Sequence, residues 1–255
     1  MALITIIRDL HRRKARERRG LALAEGVRLV EEMVATGARC KGAVVSPALD
    51  GTLRGAALRA SLTQRHVVVD ELTDRELQEL SATEHPQGVI AVYEPARWTL
   101  ADMAPSPGRP LLVLDGVQDP GNVGTIARTA IAFGATGLVA LPGTADLANP
   151  KVVRGAMGAL FRLPHVHVAD DDVFSWLAAH HVDVWATAMD GERIDGVTVS
   201  RQALAIVVGN EGAGIRPEVA AHASRRITIP IGPGAESLNV AVATGIVLHH
   251  TSRVA

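Results

Sequence analysis

Short apolar runs alternate with amphipathic segments along the C-terminal part of the chain. The runs are four to seven residues long, as buried strands are, and they fall at residues 111–114, 138–141, 182–188, 203–208 and 227–231. The intervening pattern predicts one helix at residues 123–133, a second that begins after an Asn149 cap, and a third at 171–180 that follows an Asp170 cap. This repeating order of strand and helix predicts a parallel sheet covered on both faces.

The N-terminal part has the same alternation in shorter pieces. Apolar spacing predicts a helix at residues 24–36, and strands are predicted at 42–45, 67–69 and 88–93. Thr73 and Glu76 form a capping-box pattern for a helix that ends near Leu80. Prolines then accumulate without periodic structure, which is typical of a linker. We therefore predict a small α/β domain at 1–94, a linker at 95–109 and a second domain at 110–255.

Two glycine-rich loops follow the last two predicted strands. Gly209 opens the first loop, a Gly-Pro-Gly at residues 232–234 forms the second, and Ser237 is predicted to cap a final helix with Leu238, Val242 and Leu248 on one stripe. In open α/β sheets, ligands bind beyond the carboxyl ends of the strands, where glycines let the backbone approach them. The loops therefore predict a cofactor pocket.

The ligand of this pocket is indicated by what the loops contain. The first loop reads G-x-x-G-x-G, not the dinucleotide fingerprint G-x-G-x-x-G, and no nucleotide P-loop occurs in the chain. The glycine order therefore disfavours a nucleotide-dependent oxidoreductase. The only charged residues in the loops are Glu211 and Glu236. Carboxylates suit a cationic ligand better than a polyphosphate, which favours a nucleoside with a positive centre.

Charge is unevenly distributed over the 255 residues, although the formal net charge is only −1. A basic segment near the N-terminus either contacts RNA phosphates or forms a solvated helix face, and its candidate RNA contacts are Arg12, Arg13, Lys14, Arg16 and Arg19. Aromatic residues make up 3% of the chain, which argues against base stacking on aromatic side chains. A single cysteine, no metal-ligand motif and no apolar run of membrane length lead us to expect a cytoplasmic protein without a metal site or a membrane span.

Three segments carry a resemblance to a known family: DPGNVGTIARTA at residues 119–130, VVGNEGAGI at 207–215 and IPIGPGAESLNVAVATGIVL at 229–248. In this order they resemble the three motifs of the SpoU, or TrmH, family of RNA ribose 2′-O-methyltransferases in the SPOUT class. RRKARERRGLALAEGVRLVEE at 12–32 is similar to the N-terminal RNA-binding domain of that family. The resemblance implies an α/β fold: a small α/β RNA-binding domain, then a C-terminal parallel-sheet SPOUT domain with a trefoil knot.

The resemblance also implies S-adenosyl-L-methionine as the cofactor. By match to the motifs and the neighbouring strand end, the expected cofactor-binding residues are Gly209, Ile229, Leu238, Ile231 and Ala188, and the expected catalytic residues are Arg128, Asn122, Glu211, Ser237 and Asn239. Family accounts give the arginine the task of activating the 2′-hydroxyl. A guanidinium is a poor proton acceptor near neutral pH, so we expect Arg128 to clamp a phosphate or stabilise a developing alkoxide. Asn122 and Ser237 also suit ordinary helix N-caps.

Substrate and assembly are further expectations from the resemblance. The two-domain form with a basic N-terminal helix favours 23S ribosomal RNA, with protection against a ribosome-targeting antibiotic as a narrower possibility. A tRNA 2′-O-methyltransferase and a catalytically silent RNA-binding member of the family are the alternatives. A homodimer is expected through the last helix, where Val240, Ile246 and Val247 are apolar.

Overall fold

The computed structural model describes residues 3–199 and 202–252, which contain two sheets. The strands are β1 (Ala22–Glu25), β2 (Arg39–Val45), β3 (Val69–Glu71), β4 (Val89–Glu94), β5 (Leu111–Asp115), β6 (Gly137–Ala140), β7 (His165–His167), β8 (Asp183–Arg193), β9 (Leu204–Gly209) and β10 (Arg225–Thr228). The helices are α1 (Leu3–Leu10), α2 (Arg13–Arg19), α3 (Val27–Ala35), α4 (Leu53–Gln64), α5 (Asp74–Leu80), α6 (Pro120–Ala132), α7 (Pro150–Gly155), α8 (Asp170–Ala179), α9 (Pro217–Ala220) and α10 (Val240–Thr251). None of the helices in these ranges is both long and apolar enough to cross a membrane.

The described residues divide into two compact units. One unit comprises the chain up to Arg97 together with Asp146–Arg162, and the other comprises Trp98–Ala145 and the chain from Leu163 onwards. Residues 146–162 thus group with the first unit, although they lie within the predicted second domain. The functional boundaries at residues 94 and 110 stay a prediction.

A mixed four-stranded sheet forms the centre of the first unit, in the order β1-β4-β2-β3. Strand β4 is antiparallel to β1 and β2, and β3 is parallel to β2. The predicted capping box is confirmed, because the Thr73 side chain accepts from the Glu76 backbone N–H and the Glu76 carboxylate accepts from the Thr73 N–H. The helix predicted at 24–36 was placed three residues too early, since β1 occupies residues 22–25 and Gly26, with φ of 97°, separates it from α3.

Residue Arg16 ties the returning segment into the first unit. Its side chain is 4% exposed, and its Nε and Nη2 donate to one oxygen of Asp146 at 2.8 and 2.5 Å. Its Nη1 donates to the carbonyls of Leu10 and His11 at 2.8 and 3.0 Å. All of its hydrogen-bonding nitrogens are thus used inside the unit, and we remove Arg16 from the candidate RNA contacts.

A parallel six-stranded sheet forms the centre of the second unit, in the order β10-β8-β9-β5-β6-β7. Each neighbouring pair is parallel, which confirms the predicted parallel sheet. The chain moves outward from β5 through β6 to β7 and later returns to place β9 on the other side of β5. In open α/β sheets, ligands bind beyond the carboxyl ends of the strands near such a reversal of strand order. The trefoil knot stays a prediction.

Three predictions about β10 and the helix caps of the second unit were wrong. The strand predicted at 227–231 ends at Thr228, so Ile229 and Ile231 lie outside it. Asp170 is the first residue of α8 and does not cap it, since the N-cap is Ala169. The last helix is capped by Asn239, whose Oδ1 accepts from the N–H groups of Ala241 and Val242, and not by Ser237.

Candidate active site

A cleft of about 500 Å³ lies at the carboxyl ends of β8 and β9 and under the chain that follows β10. It is lined by the ends of these strands, by the first glycine-rich loop and by residues on either side of the Gly-Pro-Gly at 232–234. All five residues predicted to bind the cofactor line it: Ala188, Gly209, Ile229, Ile231 and Leu238. Glu211 and Ser237, from the predicted catalytic set, line it as well. The fold thus brings residues from three separate stretches of sequence to one cavity.

Glycine is required at position 209 by the close return of the chain. A Cβ built on Gly209 would lie 2.4 Å from the carbonyl carbon of Gly214 and 2.5 Å from the backbone nitrogen of Ile215. The return is fixed by two reciprocal backbone hydrogen bonds between Asn210 and Gly214, at 2.9 and 3.0 Å. Absence of a Cβ at 209 therefore allows the loop to fold back over the strand end and leaves backbone atoms facing the cleft.

Three predicted catalytic residues form one hydrogen-bonded chain. The Nδ2 of Asn122 donates to Glu211 Oε1 at 2.9 Å, and the Oδ1 of Asn122 accepts from Asn239 Nδ2 at 2.9 Å. Both polar atoms of the Asn122 side chain are therefore engaged. Asn122 is not the N-cap of α6, because the carboxylate of Asp119 occupies that position and accepts from the Asn122 N–H at 2.8 Å. Helix α6, the loop after β9 and the start of α10 thus meet at Asn122.

The predicted catalytic Arg128 lies on the exposed face of α6, six residues after Asn122. Val123, Ile126 and Ala127 face the core and anchor the helix. Within residues 3–199 and 202–252, Arg128 has no hydrogen-bond or ion-pair partner. Its guanidinium is therefore available to an anionic ligand, for which it offers a planar set of N–H donors.

Charges around the cleft are mainly acidic. Asp190, Glu211 and Glu236 line it, and the single cation among its described lining residues, Arg226, is paired with Asp190. Apolar side chains at Ile229, Ile231, Leu238 and Val240 supply the remaining walls. This combination suits an organic ligand with a positive centre. The described residues contain no group of three or more His, Cys, Asp or Glu side chains placed to hold a metal ion.

Sequence reasoning missed the wall formed by the second half of β8. Met189 and Asp190 line the cleft, but the strand was predicted to end at residue 188. Asp190 and Gly191 form an Asp-Gly pair, which normally indicates a turn. Here Gly191 lies within the strand and permits the close approach of β10, since a Cβ at this position would lie 2.5 Å from the carbonyl oxygen of Arg226. The close approach of β10 is a tertiary contact that no local pattern reveals.

Helix α10 has one apolar side exposed. Val242 is 53% exposed, Ile246 39% and Leu238, just before the helix, 36%. Leu248 is fully buried, so the predicted stripe of Leu238, Val242 and Leu248 is wrong. Val247 is also buried, at 1% exposure, and of the three residues expected at a dimer interface only Val240 and Ile246 remain accessible.

Comparison with known families identifies the family to which the chain belongs. A family model described as the SpoU rRNA methylase family matches residues 109–249. A second model, described as an MRM3-like substrate binding domain, matches residues 2–91. The chain belongs to the SpoU rRNA methylase family.

Individual relatives match over nearly the full chain. The 23S rRNA (guanosine(2553)-2′-O)-methyltransferase RlmP of Bacillus subtilis is 33% identical over 243 residues, which cover 95% of this chain and 93% of the relative. The AdoMet-bound rRNA methyltransferase of Sinorhizobium meliloti has a TM-score of 0.86 at 32% identity, with 98% of this chain and 94% of that chain covered. The SpoU methyltransferase AviRb of Streptomyces viridochromogenes, in complex with AdoMet, has a TM-score of 0.87 at 27% identity over 99% of this chain and 97% of that chain.

Proposed function

We propose that this protein methylates the 2′-hydroxyl of a ribose in 23S ribosomal RNA, with S-adenosyl-L-methionine as the methyl donor. The observation that carries the proposal is the chain of Glu211, Asn122 and Asn239 beside the glycine-lined cleft. Arg128, which has no partner among the described residues, lies on the same helix as Asn122. Relatives named as 23S rRNA 2′-O-methyltransferases support the substrate class. Since ribosomal RNA is the proposed substrate, the cytoplasm is the proposed compartment.

The residues of the cleft fit this cofactor. Its volume of about 500 Å³ lies within the range of small-molecule pockets, about 300–1,000 Å³. Gly209 leaves room where any Cβ would meet backbone, and the lining carboxylates match a positive centre. When bound, the cofactor supplies a methyl group on a sulfonium. We assign Gly209, Ile229, Ile231, Leu238 and Ala188 to holding it.

The remaining residues act on the RNA side. We propose that Arg128 binds a phosphate of the substrate or stabilises the negative charge that develops on the ribose oxygen, since a guanidinium remains a donor throughout. The side chain of Asn122 is held by Glu211 and Asn239, and both Asn122 and Arg128 lie on α6, which sets the spacing between them. Ser237 is exposed and lines the cleft, where its hydroxyl can contact either substrate. Positioning of this kind supplies a large part of the rate of a transfer between two bound reactants.

The proposed RNA surface lies on α2 and the residue before it. Arg12 is 78% exposed and Arg13 58%, Lys14 is exposed, and Arg19 is held by Asp9 at 2.7 Å. Side chains of this kind contact phosphates without reading sequence. We also propose that two copies associate through Val242 and Ile246, the exposed apolar side chains of α10.

The proposed function is tested by transfer of labelled methyl groups to 23S rRNA and, separately, to tRNA, followed by nucleoside analysis. We expect a 2′-O-methylated nucleoside in 23S rRNA, and a loss of about 100- to 1,000-fold in kcat for Arg128→Ala, as for removal of one transition-state donor. Arg193→Ala is the control, because Arg193 is exposed and pairs with Asp195 at the surface. Labelling of tRNA alone would contradict 23S rRNA as the substrate and identify tRNA in its place. Equal activity of Arg128→Ala and the wild type would contradict the catalytic assignment of Arg128.

A further inference from the structure

The loop that forms one wall of the cleft ends at an arginine with an unusual set of partners. The backbone N–H of Arg216 donates to Asp115 Oδ2 and its Nε donates to Asp115 Oδ1, both at 2.7 Å. The Nη2 of the same guanidinium donates to Asp170 Oδ1 at 2.9 Å. One residue therefore uses both oxygens of Asp115 at the end of β5 and reaches the start of α8 as well.

The Asp115 carboxylate requires these contacts. Its side chain is 0% exposed, whereas that of Arg216 is 36% exposed and that of Asp170 is 25% exposed. A buried carboxylate is stable only when paired and hydrogen-bonded, and Arg216 alone supplies one backbone and one side-chain donor to it. The pairing also raises the pKa of Arg216, through the carboxylate of Asp170 and then that of Asp115. Arg216 is thus held charged and in one orientation.

The same strand end holds the other end of the loop. Gly209 is the register partner of Asp115 where β9 and β5 pair, and Asn210 Nδ2 donates to the carbonyl of Gly116 at 2.8 Å. The loop at 210–215 therefore leaves β5 at Gly116 and returns to it at Asp115 through Arg216. Its residues line the cleft, and Glu211 at its start holds Asn122.

We propose that Arg216 is a positioning residue for the cofactor pocket, which keeps the glycine loop closed against β5 in the conformation that binds S-adenosylmethionine. This inference rests on the proposed function. Without the Arg216 side chain, the loop would keep its Asn210 anchor and the backbone bond from residue 216 to Asp115. It would lose the side-chain bonds to Asp115 and Asp170, and the wall of the cleft would be held less firmly. The loss is expected in cofactor affinity first and in the affinity for RNA not at all.

The test measures the dissociation constant of S-adenosylmethionine by calorimetry, and the KM values for cofactor and RNA, on full-length variants. We expect Arg216→Ala to weaken cofactor binding about tenfold or more, as for loss of hydrogen bonds between charged groups. Arg216→Lys keeps the charge but cannot reach Asp115 and Asp170 together. Its affinity for S-adenosylmethionine should therefore lie between that of the wild type and that of Arg216→Ala. Arg225→Ala is the matched control, because Arg225 is 43% exposed, pairs with Glu192 and does not line the cleft.

The outcomes separate this inference from the proposed function. Failure of the wild type to bind S-adenosylmethionine contradicts the proposed function. Wild-type binding together with unchanged affinity in a folded Arg216→Ala, even with a lower melting temperature, overturns the positioning role and leaves a structural one. If Arg216→Ala does not fold, the inference is tested with Asp170→Asn and Arg216→Lys instead. Wild-type cofactor affinity in both of these variants would overturn it.

Discussion

The hydrogen-bonded chain through Asn122 predicts the effect of replacing one donor with an acceptor. In Asn122→Asp, a carboxylate oxygen replaces the amide nitrogen that lies 2.9 Å from Glu211 Oε1, so a donor becomes a second negative acceptor. A hydrogen bond to a charged group contributes about 1.5–3 kcal/mol, and the exposure of Glu211 places this one in the lower half of that range. At about 1.4 kcal/mol per factor of ten, we expect kcat/KM to fall about 10- to 30-fold.

The fold itself should tolerate this change. Residue 122 lies in the first turn of α6, where a negative charge is favourable, and its backbone N–H keeps its bond to Asp119. We therefore expect a melting temperature close to that of the wild type. Circular dichroism and thermal unfolding check this before the kinetics are compared.

A compensating substitution makes the prediction refutable. In the double variant that combines Asn122→Asp with Glu211→Gln, the new carboxylate accepts from the amide introduced at position 211 on one side and from Asn239 Nδ2 on the other. The bond between residues 122 and 211 is then restored with donor and acceptor exchanged, while the bond from Asn239 keeps its direction. We expect most of the lost kcat/KM to return, with a coupling energy of about 1 kcal/mol or more in a double-mutant cycle. Additive effects of the two single substitutions would refute the reasoning, because they would show that the pair does not act through this bond.

Two further predictions concern single residues. Gly209→Ala should destabilise the protein by about 1–3 kcal/mol and weaken cofactor binding, because its Cβ would meet the Gly214 backbone at 2.4 Å. Gly212→Ala is the control: the nearest described neighbour of its Cβ outside the adjacent residues would lie at 3.7 Å, so thermal unfolding and calorimetric binding should stay near wild type, and equal behaviour of the two variants would contradict the steric argument. Burial, and then the nearby His167, lower the pKa of His165 below 6.5, so the fold is more stable above pH 6.5 and loses that stability on acidification, by at most about 1.4 kcal/mol per pH unit. His165→Asn, which can still donate to the Leu163 carbonyl, should flatten this part of the pH profile of unfolding free energy, and parallel profiles would count against it.

Local signals in the sequence predicted those features that local forces determine. The Thr73 capping box and the Asn149 cap with Pro150 are satisfied within one helical turn, and both are present as predicted. The alternation of apolar runs and helices likewise predicted the parallel sheet, in which β5, β6 and β9 are buried along their whole length.

The features that local patterns did not predict depend on distant residues. Ser237 and Asn239 are both suitable N-cap residues, and Asn239 takes the role while its amide also bonds Asn122, 117 residues away. Arg16 looks like its basic neighbours in the sequence, but its charge is paired inside the unit with Asp146, 130 residues away. For the candidate site, motif resemblance supplied the residues, while the order of their contacts and the role of Arg216 came from the folded chain.

The grouping of residues 146–162 with the first unit bears on how the protein is synthesised. As the chain leaves the ribosome from its N-terminus, Arg16 emerges long before Asp146, the carboxylate that neutralises it. A guanidinium in a buried site is costly without its partner, so α2 cannot settle into its final packing at that stage. We therefore expect the first unit to complete its folding only after residues 98–145 of the second have been translated.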